Sequence, residues 1–196
     1  MCSMAAGASK LGYIPVVDTF AQFGVTKGSL PITMAALSQA PMICVFSHVG
    51  FQDAADGASH QALCYYSMLG AIPHTRLYSL TSSDEAEALV GQAVDKFAAA
   101  AKSGHPQDSY VFFLGRENFP QHYGVKNYVL DQAQVVRDSA KPAVVIAASG
   151  ALLGQALLAA DKLAAKGVEV AVINPSVINH PDTKTFKTYL ERAGGR

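Results

Sequence analysis

Three continuous apolar runs constrain the fold more than any other feature of this chain. Residues 41–47 (PMICVFS), 109–114 (SYVFFL) and 143–148 (AVVIAA) lack the alternation of a half-buried strand and are bounded by turn residues. Runs of this kind belong to strands covered on both faces. A fourth, β-rich run spans 13–19 (YIPVVDT), and further strands are expected at 76–80 and 168–174. Between them the apolar residues fall at helical spacing. Residues 28–39 carry Leu30, Met34 and Leu37, and 59–70 carry Ala62, Leu63, Tyr66 and Leu69. Longer helices are expected at 83–102, with Ser83-Asp84-Glu85-Ala86 supplying the cap and first-turn acids, and at 152–166. Strand and helix in alternation mean an α/β fold with a doubly wound parallel sheet.

Hydrophobic density falls between residues 120 and 141, where turn residues accumulate. The expected organisation is therefore an α/β domain over 1–124, a linker over 125–141 and part of a second α/β domain over 142–196. Both ends read as cuts through an element. Met1 runs directly into a small-residue helical stretch, and the helix starting at Thr183 stops at Gly194-Gly195-Arg196, where a next strand would begin. The expectation is a segment of a longer protein.

The chain has 196 residues with 15 basic and 15 acidic side chains, so its formal charge is zero and no clustered Lys/Arg footprint for nucleic acid is present. Charged residues make up only 15% of the chain, against roughly a quarter in a typical domain, which points to apolar surface meeting another subunit or domain. No apolar run reaches the ~20 residues of a membrane span and no leader pattern opens the sequence, so the expected location is cytoplasmic. Cys2, Cys44 and Cys64 are odd in number and lack C-x-x-C spacing, which favours free buried thiols over a disulfide or zinc site. Dinucleotide, Walker, nucleophile-elbow and zinc-protease motifs are all missing. Ser149-Gly150 and Gly154 resemble a phosphate loop only loosely, and close strand-to-helix packing accounts for them better.

Ligands of open parallel sheets sit beyond the carboxyl ends of the strands, and here those positions are polar and aromatic. Thr19, Phe20, Gln22 and Phe23 follow the first strand, Ser47 and His48 the second, and Arg116 follows 109–114, while the loop to 61 brings Asp56 and His60. Singly, each has an ordinary explanation: core for a phenylalanine, a turn for Asp56 before Gly57, a cap for His60, an ion pair for Arg116. Jointly, they offer a stacking platform for a flat heteroaromatic ring, two imidazoles that exchange protons near neutrality and a guanidinium fork for phosphate.

Four blocks of these residues resemble the transketolase family in order and spacing. They are Gly12-Tyr13-Ile14-Pro15 through Thr19-Phe20-x-x-Phe23, then Phe46-Ser47-His48, then Asp56-Gly57-x-x-His60-Gln61, then Gly115-Arg116-Glu117-Asn118-Phe119-Pro120. The resemblance covers the family's pyrimidine-binding domain and, from Pro142, the start of its carboxyl-terminal domain. It implies a thiamine diphosphate enzyme that moves a two-carbon ketol unit from a ketose phosphate to an aldose phosphate. By the same resemblance Phe20 and Phe23, with Gln22, would hold the aminopyrimidine, Asp56 would contact a substrate hydroxyl, His60 would assist proton transfer, and His48 and Arg116 would bind the sugar phosphate. No metal ligand is assigned to this chain, because the family's Mg2+ and diphosphate motif belongs to an amino-terminal domain. The glutamate that activates the cofactor stands, in the family, shortly before the stretch resembling residues 1–7. A homodimer, or a separate amino-terminal domain, is the partner implied. Thr26 departs from the family, where many relatives have an aromatic residue, and Ser59 stands where Thr is usual. Two other thiamine enzymes, 1-deoxy-xylulose-5-phosphate synthase and the 2-oxoacid dehydrogenase beta subunit, are the nearest alternatives. A non-catalytic assembly module is a third.

Overall fold

The structure, a computed structural model, describes residues 1–51, 55–61, 63, 65–103, 107–116, 118 and 123–195. Expectations for Ala62, Cys64, Glu117, Phe119, Pro120 and Arg196 lie outside the described residues. The first part of the chain runs α1 (Cys2–Lys10), β1 (Val16–Phe20), α2 (Ala21–Leu37), β2 (Ile43–Ser47), α3 (Tyr65–Gly70), β3 (Thr75–Ser79), α4 (Ser83–Ser103) and β4 (Ser109–Phe113). Its four strands pair in the order β1-β2-β4-β3, all parallel. Every residue of β4 is buried, as the continuous apolar run requires. One face of the sheet packs Phe46, Leu77 and Phe113 under Ala5, Val25, Ile32 and Leu69 from α1, α2 and α3. The other packs Ile43, Tyr78 and Phe112 under Leu89, Ala93 and Phe97 from α4. This is the expected two-sided parallel sheet.

The second part consists of β5 (Gln134–Arg137), β6 (Val144–Ala147), α5 (Leu152–Ala164), β7 (Val170–Asn174) and α6 (Thr183–Arg192). Strand order is β5-β7-β6, with β6 parallel and β5 antiparallel to β7. Leu153, Ala156 and Ala160 of α5 cover one face, and Phe186 and Tyr189 of α6 the other.

Four local expectations differ from what is found. The segment 125–141 contains β5, a four-residue strand whose short run QVVR gives little signal on its own. Helix α2 starts at Ala21, immediately after β1, so Gln22 and Phe23 stand on its first turn rather than on a loop. Helix α3 begins only at Tyr65, and His60 lies in the turn before it, with its N–H donating to Gly57 O at 3.1 Å. The cap of α4 is Ser82, whose Oγ accepts from Glu85 N at 3.2 Å, and Glu85 is fully buried rather than a solvent-facing acid.

The burial of Glu85 comes from the way the two parts join. Strand β3 is an edge of the first sheet, and an open edge leaves backbone groups unpaired. The segment after β7 runs antiparallel along it: Ser79 N donates to Ser176 O (3.1 Å) and Ile178 N to Leu77 O (2.7 Å), with Tyr78 bridged to Val177. Val177 enters the core under α4, while Ile178 packs on the core across the sheet. Beside this strap, Glu85 accepts hydrogen bonds from Thr81 N (2.8 Å), Thr81 Oγ (2.6 Å), Asn174 Nδ2 (2.9 Å) and Ser176 Oγ (2.9 Å). Two donors from each side fill a buried carboxylate that, among the described residues, has no ion-pair partner, which is what makes its burial tolerable.

The seat of α2 on the sheet rests on a missing side chain. A Cβ placed on Gly24 would meet Phe46 ring carbons at 2.6 to 2.7 Å, and Phe46 is fully buried. Helix α2 therefore lies closer to β2 than any other residue at this position permits. Gly24→Ala improves helix propensity by about 1 kcal/mol, yet overpacking against the ring costs about 1–3 kcal/mol. The expected outcome in urea unfolding is a net loss of stability, and a stabilised variant would show that Phe46 gives way.

Candidate functional site

The carboxyl ends of β1, β2 and β4 form one rim, and the residues placed there follow from register. Phe20 pairs with Ser47 at the last step of the β1–β2 ladder, so Phe20 and His48 leave the sheet side by side. Phe20 keeps extended backbone (φ −65°, ψ 141°), and α2 starts on the next residue. Phe23, three residues on, then comes round to the same side as Phe20.

Four rings gather as a result. Phe20 and His48 stack with centroids 3.9 Å apart, Phe20 and Phe23 stack at 6.4 Å, and His60 stands edge-on to Phe20 at 5.7 Å and to Phe23 at 5.0 Å. The structure thus joins the first strand end, the second strand end and the loop before α3 in one aromatic and imidazole cluster. Phe23 remains 39% exposed, so part of this apolar side chain lies at the surface of the cluster.

Each imidazole is oriented by the serine immediately before it. Ser47 Oγ lies 2.8 Å from His48 Nδ1, and Ser59 Oγ lies 2.9 Å from His60 Nδ1. With Nδ1 engaged by a hydroxyl, Nε2 is the ring nitrogen left to face a ligand. The Ser-His pairs are visible at both places in the sequence, but nothing there gives Ser47 or Ser59 this orienting role. His48 also adopts φ 60°, a left-handed conformation that costs a non-glycine residue about 1 kcal/mol or more. The turn is held from the next residue, where Val49 N donates to Leu114 O at 3.1 Å.

Asp56 and Arg116 are exposed, the first in the loop after β2. Asp56 precedes Gly57, whose φ of 78° turns the loop toward His60, and Arg116 stands beyond the end of β4. Thr26, the departure noted above, donates its hydroxyl to Gln22 O at 2.5 Å within α2. Beside the rim a cleft of about 420 Å³ opens between Val49, Phe51, Tyr66, Leu80, Gly115 and the turn before α5. In that turn a Cβ on Gly150 would lie 3.0 Å from Ser79 Oγ of β3, so this glycine serves close packing between the two parts rather than the strand-to-helix packing expected of it. Cys2 and Cys44 are free and buried, and burial pushes the Cys44 thiol well above its ordinary range. Among the described residues no group of three or more His, Cys, Asp or Glu could hold a metal ion, and no helix is long and apolar enough to cross a membrane.

Comparison with known proteins matches this geometry to one family. The family model "Transketolase, pyrimidine binding domain" covers residues 1–119, and "Transketolase, C-terminal domain" covers residues 131–195. Among curated proteins, transketolase-like protein 2 of Homo sapiens is 30% identical over 198 aligned residues, which is 100% of this chain and 30% of that protein. The chain therefore spans less than a third of the length of such relatives. Among solved structures, the transketolase of Campylobacter jejuni superposes with a TM-score of 0.81 at 20% identity, covering 98% of this chain and 29% of that one. A structure described as a split gene transketolase, inactive beta4 tetramer, superposes with a TM-score of 0.76 at 22% identity, covering 97% of this chain and 58% of that one. A model matched over more than half the chain, on the strands and helices that build the ring cluster, places the chain in the transketolase family.

Proposed function

We propose that this chain forms the pyrimidine-binding and substrate-recognition side of a transketolase site, which transfers a two-carbon ketol group between sugar phosphates. The observation that carries this reading is the four-ring cluster, in which the residues of three family-like blocks converge. The residues present fit an aminopyrimidine. Phe23 offers exposed apolar surface, and Gln22 Oε1 is buried with no hydrogen-bond donor among the described residues. An unpaired buried acceptor costs about 1–3 kcal/mol, and a donor on a bound ring relieves that cost. Thiamine diphosphate, when bound, supplies the carbanion chemistry that breaks and remakes the carbon–carbon bond beside a ketose carbonyl. Phe20 and Phe23 present the apolar wall, and Gln22 fixes the orientation of the ring against it.

The remaining residues act on the sugar. His60, with Nδ1 on Ser59, carries a proton on or off Nε2 at the edge of the ring wall. His48, with Nδ1 on Ser47, turns Nε2 toward the same space and binds the phosphate together with the Arg116 fork. Asp56 accepts a hydrogen bond from a substrate hydroxyl and favours one stereochemistry. The activating carboxyl and the Mg2+–diphosphate site of the family pattern come, in this proposal, from another segment or subunit. Exposed Met4 of α1, Leu11 just after it, and Leu30, Met34 and Leu37 of α2 give such a subunit an apolar face to cover. The inactive tetramer of the split-gene relative favours a second reading, an assembly that stays silent until its other half joins.

Native protein isolated with its companion domain or subunit is expected to contain thiamine diphosphate and Mg2+ and to convert xylulose 5-phosphate with ribose 5-phosphate. Turnover of pyruvate with glyceraldehyde 3-phosphate instead would assign the synthase reaction, and absence of both activities and of cofactor would leave the assembly role. In the same preparation Phe23→Ala should weaken thiamine diphosphate binding about tenfold or more by calorimetry. Unchanged affinity in a folded variant would remove Phe23 from the ring wall.

A further inference from the structure

The loop that carries Asp56 and His60 runs into α3, a helix of only six residues. A helix this short has little stability of its own, so its place depends on what holds it. Near its start, Tyr66 donates to Ser79 Oγ at 2.9 Å. At its end it meets a residue from the strap. Asn179 Nδ2 lies 3.4 Å from Gly70 O, and a Cβ on Gly70 would sit 3.8 Å from Asn179 Cβ.

The same carboxamide is fastened to the edge of β3. Asn179 Nδ2 donates to Thr75 O at 2.7 Å and Asn179 Oδ1 accepts from Leu77 N at 2.9 Å. These two bonds continue, through a side chain, the ladder that Ser176 and Ile178 make through the backbone. Asn179 is in this way a strand mimic whose far side touches the end of α3. The strap is itself anchored upstream by the bonds of Asn174 and Ser176 to Glu85.

We propose that Asn179 is a positioning residue for the candidate site: from the strap it fixes the end of α3 on the β3 edge, and through α3 it sets the loop bearing Asp56 and His60. The second part of the chain thereby contributes to a site whose ligand-facing residues all lie in the first. The functional meaning rests on the site proposed above, whereas the coupling is read from the chain alone, without ligand.

The test is amide hydrogen exchange by nuclear magnetic resonance on the full chain, with the His60 Cε1–H signal as a second readout. Asn179→Ala unpairs Leu77 N and Thr75 O. It is expected to speed exchange of the α3 amides and of the His60 amide about tenfold, to shift the His60 ring signal, and to leave the α4 amides unchanged. Asn179→Asp keeps the acceptor for Leu77 N but turns a carboxylate oxygen toward Thr75 O and Gly70 O, two acceptors, so it should speed exchange at least as much as alanine. Asn179→Ser, which leaves a small polar group on the strap without that repulsion, should fall between the native chain and alanine, and it decides the matter if the alanine variant does not fold. Unchanged exchange in α3 and at His60, or acceleration of α3 and α4 alike, would overturn the proposal. If the coupling holds while the preparation lacks ketol transfer, the functional reading fails and Asn179 keeps its positioning role.

Discussion

The outer edge of β3 needs hydrogen-bond partners, and the rest of the molecule is arranged around supplying them. Parallel strands place their backbone groups in the sheet plane, and an uncovered edge of a buried sheet would leave them unpaired or open to another chain. Here the segment after β7 closes it with the backbone of Ser176 and Ile178 and the carboxamide of Asn179. Closure brings Asn174 and Ser176 against α4, where only a group with several acceptor sites can satisfy their donors. Glu85 is that group. The two sheets are thus joined by polar interactions deep in the structure, and the apolar residues Val177 and Ile178 seal both sides of the joint.

With that edge fixed, the opposite side of the sheet is free to build the site. The β1–β2 register delivers Phe20 beside His48, the Gly24–Phe46 contact seats α2 so that Phe23 follows, and the loop before α3 adds His60. No one of these residues has unusual chemistry alone. What matters chemically is their convergence on a rim where parallel sheets generally bind ligands, with a serine hydroxyl holding each imidazole in a defined orientation.

Much of this was legible in the sequence because the strands are long apolar runs, and 41–47, 109–114 and 143–148 all proved to contain strands. The rim residues were legible because they follow those runs directly. What was not legible depends on partners distant in the chain. Glu85 looks like an ordinary first-turn acid until Asn174, 89 residues away, is folded against it. Strand β5 is too short to announce itself, and its existence depends on pairing with β7. The early start of α2 carries no capping side chain to mark it, since Phe20 occupies the cap position. The shortening of α3 leaves His60 in a turn, where Gly57 and Ser59 determine its orientation instead of a helix face.

In the proposed function the ring cluster is the seat of an aminopyrimidine. The most direct measurement is a crystal structure of the native assembly loaded with thiamine diphosphate and Mg2+. The predicted result is a pyrimidine ring stacked on Phe23, with centroids about 5 Å apart and Gln22 Oε1 accepting a hydrogen bond from it. A cofactor bound elsewhere, with Phe23 still exposed and Gln22 Oε1 still unpaired, would contradict it.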